Sequence, residues 1–294
     1  MPMRTGLRDE EVPLGLRLAG VTTGYRQGGS YGDCLWGRGG LFTWHNQTLN
    51  SWTMIWGWML STALLRWTLL TLKPTGLALV AFVCLWLTPT LHLPFTVGYH
   101  QFLCMSPYIL RRWRALDVIF IFVASVPLTF ALAFFVVPLP AALGLTGVTL
   151  GLALHAWHHA ASLKAGAEID KGANTRYVGY VVIVYTFPIL LQAGADLLDL
   201  ALDADGLGLG HAWRGGQAHD RSFVPGLAAA VAFSFVHGAA TYVASFPDVW
   251  APGRFDLVGA AQQHMHVAIV GTHALEWLFL IHMFQRKRAA AGHV

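Results

Sequence analysis

Residues 262–286 read QQHMHVAIVGTHALEWLFLIHMFQR, a long apolar run with two histidines at its start. A membrane-spanning helix needs about 20 mainly apolar residues. Histidines at the mouth of such a segment are costly to bury unless they have partners or a function. This stretch therefore predicts a membrane helix with a polar site at its beginning.

The composition extends this conclusion to the whole chain. Of its 294 residues, 55% are hydrophobic and 12% charged, and the mean hydropathy is +0.51. Soluble domains carry about 25% charged residues. The net charge of +4 is small and the arginines form no long run, which argues against a nucleic-acid partner. We expect a multi-pass protein of the plasma membrane or an endomembrane, with membrane lipids as partners.

Seven apolar runs reach membrane length. They predict an all-α, seven-transmembrane helix bundle over residues 41–285, preceded by a mobile arm at 1–40 and followed by a short tail at 286–294. The predicted spans are 51–72, 76–104, 115–138, 141–161, 177–198, 223–245 and 263–285.

The distribution of Lys and Arg predicts the orientation, because cytoplasmic loops carry the excess. Of the 19 basic residues, 12 fall on the side of the N terminus and six on the other, with Arg66 inside the first span. A cytoplasmic N terminus is therefore favoured. The cluster formed by Arg286, Lys287 and Arg288 argues for the opposite orientation.

Alternating spans bring three polar residues to one level. His100 ends span two, Asp117 begins span three and His266 begins span seven, so all three lie near the same face. Imidazoles and a carboxylate at one depth suit a divalent metal such as zinc. The alternatives are that each histidine is a packed, hydrogen-bonded core residue and that Asp117 pairs with a flanking arginine.

Other histidines and one carboxylate are weaker candidates. His155 and His159 have the i, i+4 spacing of a chelating pair, but they also fit interfacial anchoring, as does His158 beside them. Residue Glu276 is expected to face the bundle interior, neutral or paired. Core positions are expected for the two remaining candidates, His237 and His273.

Four motifs, in order along the chain, resemble the PAQR family (progestin and adipoQ receptors), which is related to haemolysin III-like proteins. Residues 44–53, WHNQTLNSWT, are similar to the signature H-N-E-T-x-N-x-W-T-H. TVGYH at 96–100 resembles S-x-x-x-H, and Leu116-Asp117 matches an L-D pair. PGRFDLVGAAQQHMHV at 252–267 resembles P-G-K-F-D followed by G-x-S-H-Q-x-x-H-V.

The resemblance implies seven spans and a zinc ion near the cytoplasmic face. His100 and His266 would be zinc ligands, Asp117 would hold a water, and Thr96 would stand for the serine. The third ligand position holds Gln262 instead of histidine, and an amide is a poor match for zinc. The alternatives for the missing ligand are Asp117 itself, His155 or His159, and His264 with an irregular helix start. Loss of the metal is a further alternative.

Three functions follow from the resemblance. The chain would be a receptor for a steroid, a protein hormone or a lipid such as a sphingolipid. It would otherwise be a zinc-dependent hydrolase of a lipid amide, similar to ceramidases. The remaining alternative is a membrane scaffold with a degenerate site, or a haemolysin III-like pore without catalysis.

Overall fold

A computed structural model describes residues 1–162, 171–204 and 221–292. Within these ranges, seven long helices occupy the predicted spans. They are α2 (Thr48–Thr71), α3 (Gly76–Phe102), α4 (Pro107–Phe134), α5 (Leu139–Ser162), α6 (Lys171–Ala204), α7 (Phe223–Ala244) and α8 (Ala261–Ala290). The predicted tail at 286–294 is therefore helical as far as Ala290, and its last two residues lie outside the described part of the chain.

Six of the described helices, α3 to α8, are long and apolar enough to cross a membrane. The all-α multi-pass membrane fold that the sequence predicts is therefore supported. Helix α2 has 24 residues but falls outside this group, because polar side chains such as Asn50, Ser51, Ser61 and Arg66 interrupt its apolar sequence. That α2 crosses the membrane and that the N terminus is cytoplasmic remain predictions.

The outer surface of the helices is apolar. Large side chains are exposed on several of them, including Leu70, Ile183, Phe233, Val236 and Val267. So many large apolar side chains are rarely exposed to water, but they suit contact with lipid tails.

The helices pack so that α3 and α8 both contact α2. Small residues allow the close approach: a Cβ at Gly57 of α2 would lie 2.6 Å from a methyl group of Val270. At Gly98 of α3, a Cβ would collide with the indole ring of Trp113 on α4. The end of α3 lies beside the start of α8, where His100 and His266 are in ring contact.

Residues 1–41, named here the N-terminal unit, have a defined fold. Strands β1 (Arg4–Leu7) and β2 (Tyr25–Gln27) pair antiparallel, and a short helix, α1 (Tyr31–Leu35), follows them. Leu7, Val12, Val21 and Tyr25 form a small apolar cluster. The sequence predicts a mobile arm here, because strands of three or four residues leave no periodic pattern.

Two polar side chains attach the N-terminal unit to the bundle. The guanidinium of Arg26, which is 3% exposed, donates to the carbonyl of His100 at 2.9 Å and to Gln101 Oε1 at 3.2 Å. The carboxylate of Asp256 accepts from the backbone amides and hydroxyls of Thr22 and Thr23 at 2.7–3.1 Å. The unit therefore rests on the end of α3 and on the loop before α8.

Candidate functional site

The site is built where α3 ends and α8 begins. The start of α8 is fixed by Asp248, whose carboxylate accepts from the amide of Ala261 at 3.1 Å, and by Gln263, whose Oε1 accepts from the amide of Gly259 at 2.7 Å. With the helix regular from Ala261, His266 faces the interior of the bundle. The ring centroids of His266 and His100 lie 5.1 Å apart, and both side chains are buried.

Helix α2 supplies an acceptor to each of these imidazoles. His100 Nδ1 lies 2.7 Å from Gln47 Oε1, just before α2. His266 Nδ1 lies 3.0 Å from the carbonyl of Asn50 and 3.1 Å from Thr53 Oγ1. Since amide and carbonyl oxygens only accept, both Nδ1 atoms carry the proton and both Nε2 atoms carry the lone pair. Metal-binding histidines are oriented in the same way by their surroundings.

The two Nε2 atoms differ in their partners. His100 Nε2 is buried and has no hydrogen-bond partner among the described residues. His266 Nε2 lies 3.4 Å from the amide nitrogen of Gln262, one turn earlier on α8. The glutamine therefore faces the site from the position at which the resemblance would place a third ligand.

Asp117 is engaged elsewhere. Its Oδ1 lies 3.0 Å from His92 Nε2, and no hydrogen bond in the described part of the chain joins its carboxylate to His100 or His266. Thr96 is buried one turn before His100 on α3. Of the four residues that sequence reasoning placed together, the structure brings the two histidines into contact and pairs the aspartate with another histidine.

Four residues of the site were missed by sequence reasoning. Gln47, Asn50 and Thr53 lie in the WHNQTLNSWT motif, where Gln47 stands in place of the glutamate of the signature. His92 had a signal: with Thr96 and His100 it repeats every four residues, which places these side chains along one side of α3.

The remaining candidate histidines lie away from this pair. His155 and His158 are exposed on α5, and the rings of His155 and His159 lie 5.6 and 6.2 Å from that of Tyr177 on α6. His264 points to His237 of α7, at a ring separation of 6.1 Å. The structure therefore does not bring these alternatives to the place of the missing ligand.

A second polar cluster crosses from α8 to α2 inside the bundle. Glu276 is 2% exposed, as expected for an interior carboxylate, and its Oε2 lies 3.0 Å from His273 Nδ1. His273 Nε2 lies 3.2 Å from Ser61 Oγ, which accepts from Trp277 Nε1 at 3.2 Å. This chain of hydrogen bonds gives the intramembrane carboxylate a partner and holds the two helices together.

The donor set does not complete the zinc site that the resemblance implies. The described residues contain no group of three His, Cys, Asp or Glu side chains that could hold a metal ion. Catalytic zinc takes three protein ligands, whereas His100 and His266 provide two. A neutral amide at Gln262 is a weak substitute.

Comparison of the sequence with known protein families and with characterised proteins finds no match. The PAQR resemblance therefore rests on the four motifs alone.

Proposed function

We propose that the chain is a PAQR-like membrane receptor that binds a lipid through its acyl chain, beside the His100–His266 pair. The ligand is a bilayer lipid, entering sideways between α2 and α3. The function is binding without hydrolysis.

The observation that carries this proposal is an apolar groove of about 310 Å³ formed by residues of α1, α2 and α3. Ligand sites of this type measure roughly 300–1,000 Å³. Its lining is entirely apolar and comes from three elements: α1 and α2 contribute Leu35 and Ile55, and α3 contributes Leu93, Pro94, Val97, Gly98 and Phe102. A groove lined without polar side chains suits an acyl chain.

The groove adjoins the polar site. Val97 and Gly98 of its wall precede His100 by less than one helical turn. Around that site Gln47 pairs with His100 Nδ1, the carbonyl of Asn50 with His266 Nδ1, and His92 with Asp117. Asp117, which the resemblance would assign to hold a catalytic water, is therefore engaged away from the histidine pair. Together with a donor set of only two histidines among the described residues, this supports binding over hydrolysis.

The test is photolabelling in lipid nanodiscs with a phosphatidylcholine that carries a diazirine on its acyl chain. In the parent protein, label is expected to concentrate on residues 93–98. Val97→Trp fills the groove and is expected to lower that label severalfold. Val80→Trp is the matched control, because Val80 lies on the same helix, outside the groove, and is 43% exposed. Label spread evenly over the exposed helices, or unaffected by Val97→Trp, would refute the proposal.

The second candidate function is a zinc-dependent lipid amidase, which the unpartnered Nε2 of His100 favours. A buried imidazole nitrogen without a partner is costly, and a metal ion would satisfy it. If zinc binds, His100 and His266 hold it, and it supplies Lewis-acid activation of a carbonyl or a water.

Elemental mass spectrometry of the purified protein separates the two functions. Near-stoichiometric zinc that is lost in His266→Ala would establish the metal site and favour the amidase. Zinc absent from the parent and gained in Gln262→His would show that the third ligand is what the site lacks. The binding function would then stand alone.

A further inference from the structure

Two cysteines from distant parts of the chain lie in contact where the N-terminal unit packs against the end of α3. Cys34 in α1 and Cys104, just after α3, are 70 residues apart in sequence, and their sulfur atoms lie 3.7 Å apart. Both thiols are free and buried, with exposures of 0% and 1%. The third cysteine, Cys84, lies within the membrane-spanning part of α3.

The backbone of the N-terminal unit holds the pair in place. The carbonyl of Gly28 is 4.0 Å from each sulfur, and its amide donates to the carbonyl of Cys104 at 3.0 Å. Gly28 and Gly29 both have φ of +83°, a conformation that glycine adopts without strain. The turn that presents α1 to the end of α3 therefore depends on these two glycines.

The surroundings make the two thiols unequal. A hydrogen bond from the Cys34 thiol and the nearby Arg26 guanidinium lower the pKa of Cys104, against the opposing effect of burial. The same hydrogen bond, together with burial, raises the pKa of Cys34. Because the thiolate is the reactive species, this direction favours Cys104 as the attacking sulfur and Cys34 as the resolving one.

We propose that Cys34 and Cys104 form an oxidation site, which a peroxide closes to a disulfide and a thiol reductant reopens. The Cys104 thiolate attacks one peroxide oxygen, the O–O bond breaks, and a sulfenic acid and water result. The Cys34 thiol then attacks that sulfur, the S–O bond breaks, and a second water leaves. Two thiols and one hydrogen peroxide thus give one disulfide and two waters.

Closing the disulfide brings the two sulfur atoms closer together. A disulfide has an S–S distance of about 2.05 Å, so the sulfurs must approach by roughly 1.7 Å from their separation of 3.7 Å. With the bond closed, the N-terminal unit is fastened to the helix end that carries His100, four residues before Cys104. This inference stands on the cysteine pair and does not depend on which ligand the neighbouring site binds.

The experiment treats the purified full-length protein in detergent with increasing hydrogen peroxide and counts free thiols with a maleimide after denaturation. The parent is expected to fall from its three thiols to one, and dithiothreitol is expected to restore all three. Cys84→Ser should fall from two to none. Trypsin should then release the 27–38 peptide of that variant disulfide-linked to the peptide that carries Cys104.

Two further variants serve as controls. Cys34→Ser and Cys104→Ser should each keep the Cys84 thiol free at the same peroxide dose and yield no linked peptide, while circular dichroism reports whether they are folded. Disulfides between chains, detected by mixing isotopically heavy and light protein, would overturn the proposal. So would loss of the Cys84 thiol first, or loss of thiols only after helical structure is lost.

Discussion

Replacing Asp256 with alanine should release the N-terminal unit from the loop before α8. The carboxylate is 4% exposed and accepts from the amides of Thr22 and Thr23 at 3.1 and 2.7 Å, and from both hydroxyls. Hydrogen bonds to a charged group contribute about 1.5–3 kcal/mol each. The hydroxyls can turn to water, so we count the two amide bonds and expect the opening free energy to fall by about 3 kcal/mol.

Hydrogen exchange measures this opening directly, because local exchange rates follow the population of the open state. At 1.4 kcal/mol per factor of ten, the amides of β2 (Tyr25–Gln27) are expected to exchange about 150-fold faster in Asp256→Ala. Asp256→Asn keeps one acceptor and should give an intermediate rate.

Glu11→Ala is the matched control for this measurement. It removes another carboxylate of the N-terminal unit, one that is 43% exposed and whose partners, Arg4 at 3.6 Å and the amide of Arg8 at 2.8 Å, both lie within the unit. Exposed pairs contribute about 0–1 kcal/mol, so exchange at β2 should change little. If Asp256→Ala also leaves exchange at β2 within about fivefold of the parent, the carboxylate does not anchor the unit and the reasoning fails.

Three other outcomes follow from buried groups. Burial lowers the pKa of His45 from 6.5 to about 2, so below pH 6.5 only the unfolded chain takes up a proton at this imidazole. Between neutral pH and pH 5 the parent should therefore lose about 2 kcal/mol of its free energy of unfolding that His45→Gln keeps. The measurement is the difference in thermal midpoint between the two proteins as a function of pH. Gly98→Ala pushes a methyl group into the ring of Trp113 and should cost about 1–3 kcal/mol; an unchanged thermal midpoint would show that α3 and α4 separate easily. Glu276→Leu leaves the Nδ1 of His273 without its partner and should destabilise the protein by about 1–3 kcal/mol, whereas Glu276→Gln, which keeps an acceptor, should lie close to the parent in the same melting assay.

Sequence reasoning located the membrane helices well and the site only in part. Helix α3 was expected at 76–104 and runs from Gly76 to Phe102, because the length of an apolar run is a local property. The approach of His100 to His266 followed from counting alternating spans. The pairing of Asp117 with His92 did not, because it depends on the rotation of α4 against α3.

The N-terminal unit also depends on contacts that the local sequence pattern does not reveal. Its strands are too short for a periodic signal, and Leu7, Val12 and Tyr25 were indistinguishable from residues of an irregular arm. What folds the segment is burial against α3 and hydrogen bonding to Asp256, more than 230 residues away. A local sequence pattern does not predict contacts between residues at that separation.

The sequence by itself determined that this is an all-α multi-pass membrane protein with polar residues near one end of its helices. Hydrophobicity and helical length are sufficient for that, since lipid requires every backbone group to bond within its own helix. Only the tertiary structure decided which acceptor orients each imidazole, that Gln262 faces His266, and that Cys34 meets Cys104. Those pairings depend on side-chain directions across packed helices, which angstrom-scale shifts in packing would change.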